Sequence, residues 1–226
     1  MPIHALIFDF DGLMVDTESP AWESWRTIYA DYGVDLHIDD YAATLGANDG
    51  FDPHLHLVGL LERTAPDLAV TAAAARDELL ERRKRLKDDM SAGLGLLPGV
   101  ADLLTAARDR AIPLAVASSS SRRWVEGWLN RLAVRHHFSA VLTADDVQQT
   151  KPAPDLFLAA AQRLGHAPHN CLVLEDSPNG IRAAHAAGCP VVAVPGAVAR
   201  QLPIPRANLQ LSSLSDTRLE QLLQIA

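Results

Sequence analysis

Four carboxylates, a run of serines and one lysine stand out in this chain, because each lies beside a short apolar run of the kind that forms a buried strand. Asp9 and Asp11 follow Ile3 to Phe8, Ser118 to Ser121 follow Pro113 to Ala117, and Glu175 and Asp176 follow Cys171 to Leu174. Lys151, with Pro152 behind it, begins the helical stretch after Ala140 to Thr143. In extended backbone Asp9 and Asp11 share one side of the chain, since strand side chains alternate. Carboxylates held that close repel unless a cation or a proton intervenes. With Glu175 and Asp176 they make an oxygen-rich cluster that suits Mg²⁺, a hard ion bound by one or two carboxylates, waters and phosphate oxygens. Ser118 and Lys151 then offer a hydroxyl and an ammonium to those oxygens.

These residues are brought together by the elements that precede them. A fifth apolar run, Val191 to Val194, completes a set of strands buried on both faces. Between the later strands lie helix patterns at Val100 to Arg110, Pro154 to Leu164 and Pro178 to Ala187, the last two closed by Gly165 and Gly188. Strand and helix in alternation predict an α/β fold with a mostly parallel sheet covered on both faces. Such sheets bind ligands outside the carboxyl ends of their strands, where all six side chains converge.

Between the first and second strands the alternation stops. From Ser19 to Met90 the pattern is helical: Trp22, Trp25, Ile28, Tyr29 and Tyr32 make one stripe ending at Gly33, and further helices are predicted at Asp39 to Leu45, Asp52 to Arg63 and Thr71 to Asp89. The expected organisation is a core of residues 1–16 and 93–226 carrying an inserted α-helical cap domain of residues 17–92. Its hinges fall near Gly12 to Thr17 and Ser91 to Pro98.

Whole-chain properties bound the possibilities. At 226 residues, with 48% hydrophobic and 21% charged residues, one buried core plus a smaller unit is expected. A formal charge of −8 repels nucleic acid and anionic membrane alike, so an anionic ligand needs a locally positive pocket. No apolar run approaches the ~20 residues that cross a bilayer, and the start shows no secretory signal. Cys171 and Cys189 are expected to be reduced thiols in a cytoplasmic protein.

Plainer roles compete for each feature taken singly. Asp11-Gly12 suits a turn, Glu175 to Pro178 suits a helix start with Ser177 as its cap, and Lys151 suits a solvated surface. The rings of His54 and His56, two apart on a helix, diverge by about 200°, which disfavours zinc. Arg82 to Lys87 suits a solvated helix face, with a grip on an anionic substrate as the alternative. Trp124 and Trp128, four apart, suit core packing. It is the joint placement of the acids, serine and lysine at strand ends that outweighs the plainer roles.

Asp9-x-Asp11-Gly12, Ser118, Lys151-Pro152, and Glu175-Asp176 with Gly180 resemble, in order, the four motifs of the haloacid dehalogenase superfamily. The helical insert resembles the type 1 cap of its phosphatase and β-phosphoglucomutase-like branch. The resemblance implies a Rossmann-like core and a Mg²⁺-dependent phosphatase of small phosphorylated metabolites, first of all sugar phosphates. Asp9 is implied as the nucleophile and Asp11 as the acid and base. Ser118 and Lys151 would hold phosphate oxygens, Ser119, Arg122 and Asp49 would face the substrate, and Asp9, Asp11, Asp176 and Glu175 would hold or order the metal.

Competing activities differ in what they need. A dehalogenase needs neither Asp11 nor magnesium, and a receiver-like signalling domain has no such insert. A β-phosphoglucomutase-like mutase places an arginine after a cap glycine, where Gly46 to Gly50 here carries Asp49, an acid that would repel a second phosphate. A catalytically silent binding protein would be expected to lack a motif residue. A monomer is expected, with a weak dimer as the alternative.

Overall fold

The computed structural model describes residues 2–45 and 51–225. Six strands, β1 (Ala5–Phe8), β2 (Leu114–Ala117), β3 (Ala140–Leu142), β4 (Cys171–Glu175), β5 (Val191–Ala193) and β6 (Leu209–Gln210), form one sheet in the order β3-β2-β1-β4-β5-β6. Every neighbouring pair is parallel. The five apolar runs of the sequence are β1 to β5. The sixth strand is an addition, a two-residue exposed edge with no apolar run to mark it.

Alternation along the strands divides the sheet into two faces. Leu6, Phe8, Leu114, Val116, Leu172 and Leu174 point to one and join a core that includes buried residues of α6 (Val100–Asp109), α7 (Arg122–Arg131) and α10 (Leu219–Leu222). Ala5, Ile7, Ala115, Ala117, Cys171 and Val173 point to the other, beneath α8 (Asp155–Leu164) and α9 (Pro178–Ala187). Both cysteines are buried and free.

The insertion after β1 holds α1 (Glu18–Asp31), α2 (Ile38–Tyr41), α3 (Pro53–Thr64), α4 (Pro66–Ala74) and α5 (Arg76–Ser91). The stripe on α1 buries Trp22, Trp25, Ile28 and Tyr29 in a separate cluster with Tyr41, Leu57, Leu61 and Leu79, which Val198 and Ala199 of the core also join. The helix expected over Thr71 to Asp89 is two helices that meet at Ala75, because α4 packs on α3 while α5 packs on α1. The two segments that join insertion to core touch each other, Leu97 N donating to Met14 O at 2.8 Å. Among the described residues no helix is long and apolar enough to cross a membrane.

Candidate active site

Asp9 follows the last residue of β1 and Glu175 ends β4, and the register that pairs Phe8 with Leu174 places them side by side. Lys151 closes the group: its fully buried Nζ donates to Asp9 Oδ1 and to Glu175 Oε2, the latter at 2.8 Å. Glu175 also accepts from Ser177 N at 3.1 Å and Ser177 Oγ at 2.7 Å, while the same hydroxyl caps α9 by accepting from Gly180 N. Gly180 leaves the room this needs, since a Cβ there would fall 2.0 Å from Glu175 Cδ. Capping and site building thus use the same residues.

Asp9, Glu175 and Asp176 are buried with carboxylate oxygens within 4.8 Å of one another. Three carboxylates face one ammonium, which leaves two negative charges uncompensated when all are ionised. Burial first, and then Glu175, pushes the Asp9 carboxyl well above the usual carboxylate range, and burial with Asp9 does the same to Asp176. Lys151 is held above its ordinary value, because Asp9 and Glu175 outweigh the desolvation that opposes its charge. The residues fit a divalent cation, whose two charges match the deficit and whose preference is for oxygen.

Asp11 lies outside that group, with its carboxylate among four donors. Oδ1 accepts from Thr17 Oγ1 at 2.7 Å and from Trp124 Nε1 at 2.8 Å. Oδ2 accepts from Ser120 Oγ at 2.7 Å and from Ser118 Oγ at 3.2 Å.

A cavity of about 520 Å³ opens above Asp9 and Asp11, between the strand ends and the insertion. Ser118 and Ser119 line it from the core, and Glu18, Trp25, Tyr41, Arg83 and Lys87 from the insertion. The basic run is therefore divided. Arg83 and Lys87, four apart on one face of α5, turn inward, whereas Lys84 and Arg85 are exposed. Lys87 Nζ lies 4.1 Å from the centroid of the Trp124 ring. Arg83 Nε is buried without a hydrogen-bond partner. Burial and the Asp11 charge push the Glu18 carboxyl up to about 8, while burial and Arg83 pull Lys87 down.

Of the residues the sequence pointed to, Asp9, Lys151 and Glu175 meet directly, Asp176 brings a carboxylate oxygen within 4.8 Å of the other two acids, and Asp11, Ser118 and Ser119 stand at the cavity. Arg122 is held away from it: its guanidinium pairs with Asp146 and its backbone N donates to Asp145 at 2.8 Å, because Ala144 to Asp146 turns back toward the start of α7. It is not among the residues lining the cavity. Asp49 and the rest of Gly46 to Gly50 lie outside the described residues. His54 and His56 diverge, the first to Ala72 O at 2.9 Å, the second to the Tyr29 hydroxyl at 3.0 Å. Thr17, Glu18, Ser120 and Trp124 also line the cavity, although the sequence marked Thr17 only as part of a hinge, Ser120 only as one of a run of serines and Trp124 as core packing, and gave Glu18 no role. A tryptophan in the first turn of a helix at the ligand edge, where its N–H has a carboxylate within reach, is the signal that could have found one of them.

Residues 6–194 match the family profile described as haloacid dehalogenase-like hydrolase. YhcW of Bacillus subtilis (strain 168) is 36% identical over 222 residues, covering 98% of this chain and 96% of that protein. The fructose-1-phosphate phosphatase YqaB of Escherichia coli (strain K12) is 37% identical over 190 residues, covering 84% of this chain and 95% of that one. Among solved structures, a CbbY variant from Rhodobacter sphaeroides in complex with xylulose-1,5-bisphosphate is similar with a TM-score of 0.71 and 27% identity, covering 97% of this chain and 99% of that one. With this fold and this buried acidic group, the chain belongs to the haloacid dehalogenase-like hydrolases and is a phosphatase of that family.

Proposed function

We propose that the protein hydrolyses small sugar monophosphates through an aspartyl-phosphate, an acyl phosphate formed on the Asp9 carboxylate, and that Asp9, Asp176 and the Asp11 backbone carbonyl would hold Mg²⁺, with Glu175 ordering the site. The observation that carries the reading is the convergence of Asp9, Lys151, Glu175 and Asp176 beneath a cavity that also exposes Asp11. Bound there, the ion would neutralise charge on the carboxylates and on the transferring phosphate.

The chain's own residues carry the steps. An oxygen of Asp9 forms a bond to phosphorus as the bond from phosphorus to the sugar oxygen breaks, and the departing oxygen keeps that electron pair and takes a proton from Asp11. Water then attacks the phosphorus, giving its proton to Asp11, and the bond to Asp9 breaks to release inorganic phosphate. Lys151 and Ser118 supply donors to the phosphate oxygens as charge develops.

Substrate choice falls to the insertion, which we take as a cap domain of residues 17–92 on a core of residues 1–16 and 93–226. Arg83 and Lys87 provide the local positive charge that an anion needs against a net −8 chain. Arg83 has a buried Nε still to be paired. Glu18 offers a carboxyl to sugar hydroxyls, and the relative YqaB is named for a sugar monophosphate. A cytoplasmic location belongs to the same proposal, with two buried free thiols in its support.

The test is phosphate release from a panel of sugar phosphates, phosphoglycolate and nucleoside monophosphates. With Mg²⁺, sugar monophosphates should show the highest kcat/KM, and chelation should abolish release from all. Turnover that persists in chelator overturns the mechanism, and a preference for nucleotides overturns the substrate class.

A further inference from the structure

The proposed chemistry asks Asp11 to give a proton in one half-reaction and take one in the next, yet its two oxygens are not equivalent. On the Oδ2 side stand the hydroxyls of Ser120 and Ser118, at 2.7 and 3.2 Å. A hydroxyl can turn from donating to accepting, so both tolerate a proton on Oδ2. On the Oδ1 side stands Trp124 Nε1 at 2.8 Å, and an indole N–H only donates. A proton placed on Oδ1 would confront it. The half-buried indole is itself fixed, by Lys87 of α5 over one face and by an edge-to-face contact with Trp128 at 5.8 Å between centroids.

We propose that Trp124 is a positioning residue for the proton transfer: its N–H commits Oδ1 of Asp11 to accepting, so that Oδ2 carries the proton. In the first half-reaction the O–H bond at Oδ2 breaks and the proton goes to the departing sugar oxygen. In the second, Oδ2 receives the proton of the attacking water. Thr17 supports the same choice from its hydroxyl at 2.7 Å, but could reverse its bond where the indole cannot. The inference rests on the acid and base reading of Asp11.

The test compares Trp124→Phe, which keeps a ring and removes the N–H, with Trp124→His, whose five-membered ring can place an N–H where the indole has it. The protein is assayed whole with Mg²⁺, using fructose 1-phosphate as the first probe and the best sugar phosphate of the panel after it. Trp124→Phe should lower kcat for the sugar phosphate about 10- to 100-fold with little change in KM, a share of what a positioned acid supplies. The pre-steady-state burst of 4-nitrophenolate from 4-nitrophenyl phosphate should hold within about threefold, since that leaving group departs without a proton. Trp124→His should recover most of the lost kcat. A role in packing alone predicts the reverse order, because histidine removes more ring than phenylalanine does. That order, equal losses on both substrates, or no loss at all overturns the inference. Asp11→Asn assayed alongside separates the two layers. If it keeps sugar phosphate turnover, the acid and base reading itself falls; if it loses turnover while Trp124→Phe does not, only the assignment of Trp124 falls.

Discussion

A Cβ added at Gly12 would sit 2.2 Å from Oδ2 of Asp176, so the chain leaving β1 passes directly against a carboxylate that lies just beyond β4. Gly12 also has φ +85°, the left-handed region where a side chain is strained. Gly12→Ala should therefore destabilise the protein by about 1–3 kcal/mol. It should also displace Asp176 and weaken Mg²⁺ binding at the same time. Thermal melts and a Mg²⁺ titration measure the two effects, and an unchanged Mg²⁺ affinity would show that Asp176 stands clear of the metal.

Asp9→Asn removes a charge from a group with too many carboxylates, while its amide nearly matches the shape. Turnover should drop below detection, because an amide is a poor nucleophile. The metal-free variant should nonetheless melt at or above the wild-type temperature, since burial already disfavours the charged form of Asp9. A lower melting temperature would mean that Asp9 stabilises the fold through Lys151 more than it strains it.

Lys151 is the counterpart case, a fully buried cation whose removal leaves the carboxylates unopposed. Lys151→Met should destabilise the metal-free protein by about 3–5 kcal/mol, as breaking buried ion pairs does. Mg²⁺ should offset more of the loss in the variant than it adds to the wild type. Denaturant unfolding with and without Mg²⁺ provides the comparison, and equal Mg²⁺ effects in both would place the ion away from these acids.

Glu18 carries the clearest pH signature in the insertion. Its carboxyl is raised from 4.5 to about 8, by burial first and then by Asp11, so folding favours its protonated form. The favourable contribution is complete below pH 4.5 and is lost as pH rises toward 8. Glu18→Gln has no such proton to lose, and should gain stability relative to wild type across that interval. Melting temperatures of the two proteins from pH 5 to 8 decide it, and parallel curves would place Glu18 in water.

Much of the site was legible in the chain, because a parallel sheet delivers the residues beyond its strands to one edge. Each apolar run from Ile3 to Val194 marked a strand, and so the acids, serine and lysine beside them could be grouped before any geometry was known. The breadth of the α1 stripe likewise foretold that Trp22, Trp25, Ile28 and Tyr29 would be buried. Strand β6 was invisible, since two exposed residues at a sheet edge carry no pattern.

The residue that comes after a strand is a local property, and the sequence by itself determined it: Asp9 after β1, Ser118 after β2, and Glu175 and Asp176 at and after the end of β4. Which side of a helix meets which partner is a property of packing, and only the tertiary structure decided it. Arg83 and Lys87 differ from Lys84 and Arg85 in nothing but angle around α5, and the docking of α5 on α1 sends the first pair into the cavity and the second to solvent. Arg122 is a free cation in the sequence and a captured one in the fold, because the turn after β3 presents Asp145 and Asp146 to it. Trp124 is the sharpest instance. Its ring suits any core, and the N–H that sets it apart found its partner 113 residues away in Asp11, a distance along the chain that no local pattern spans.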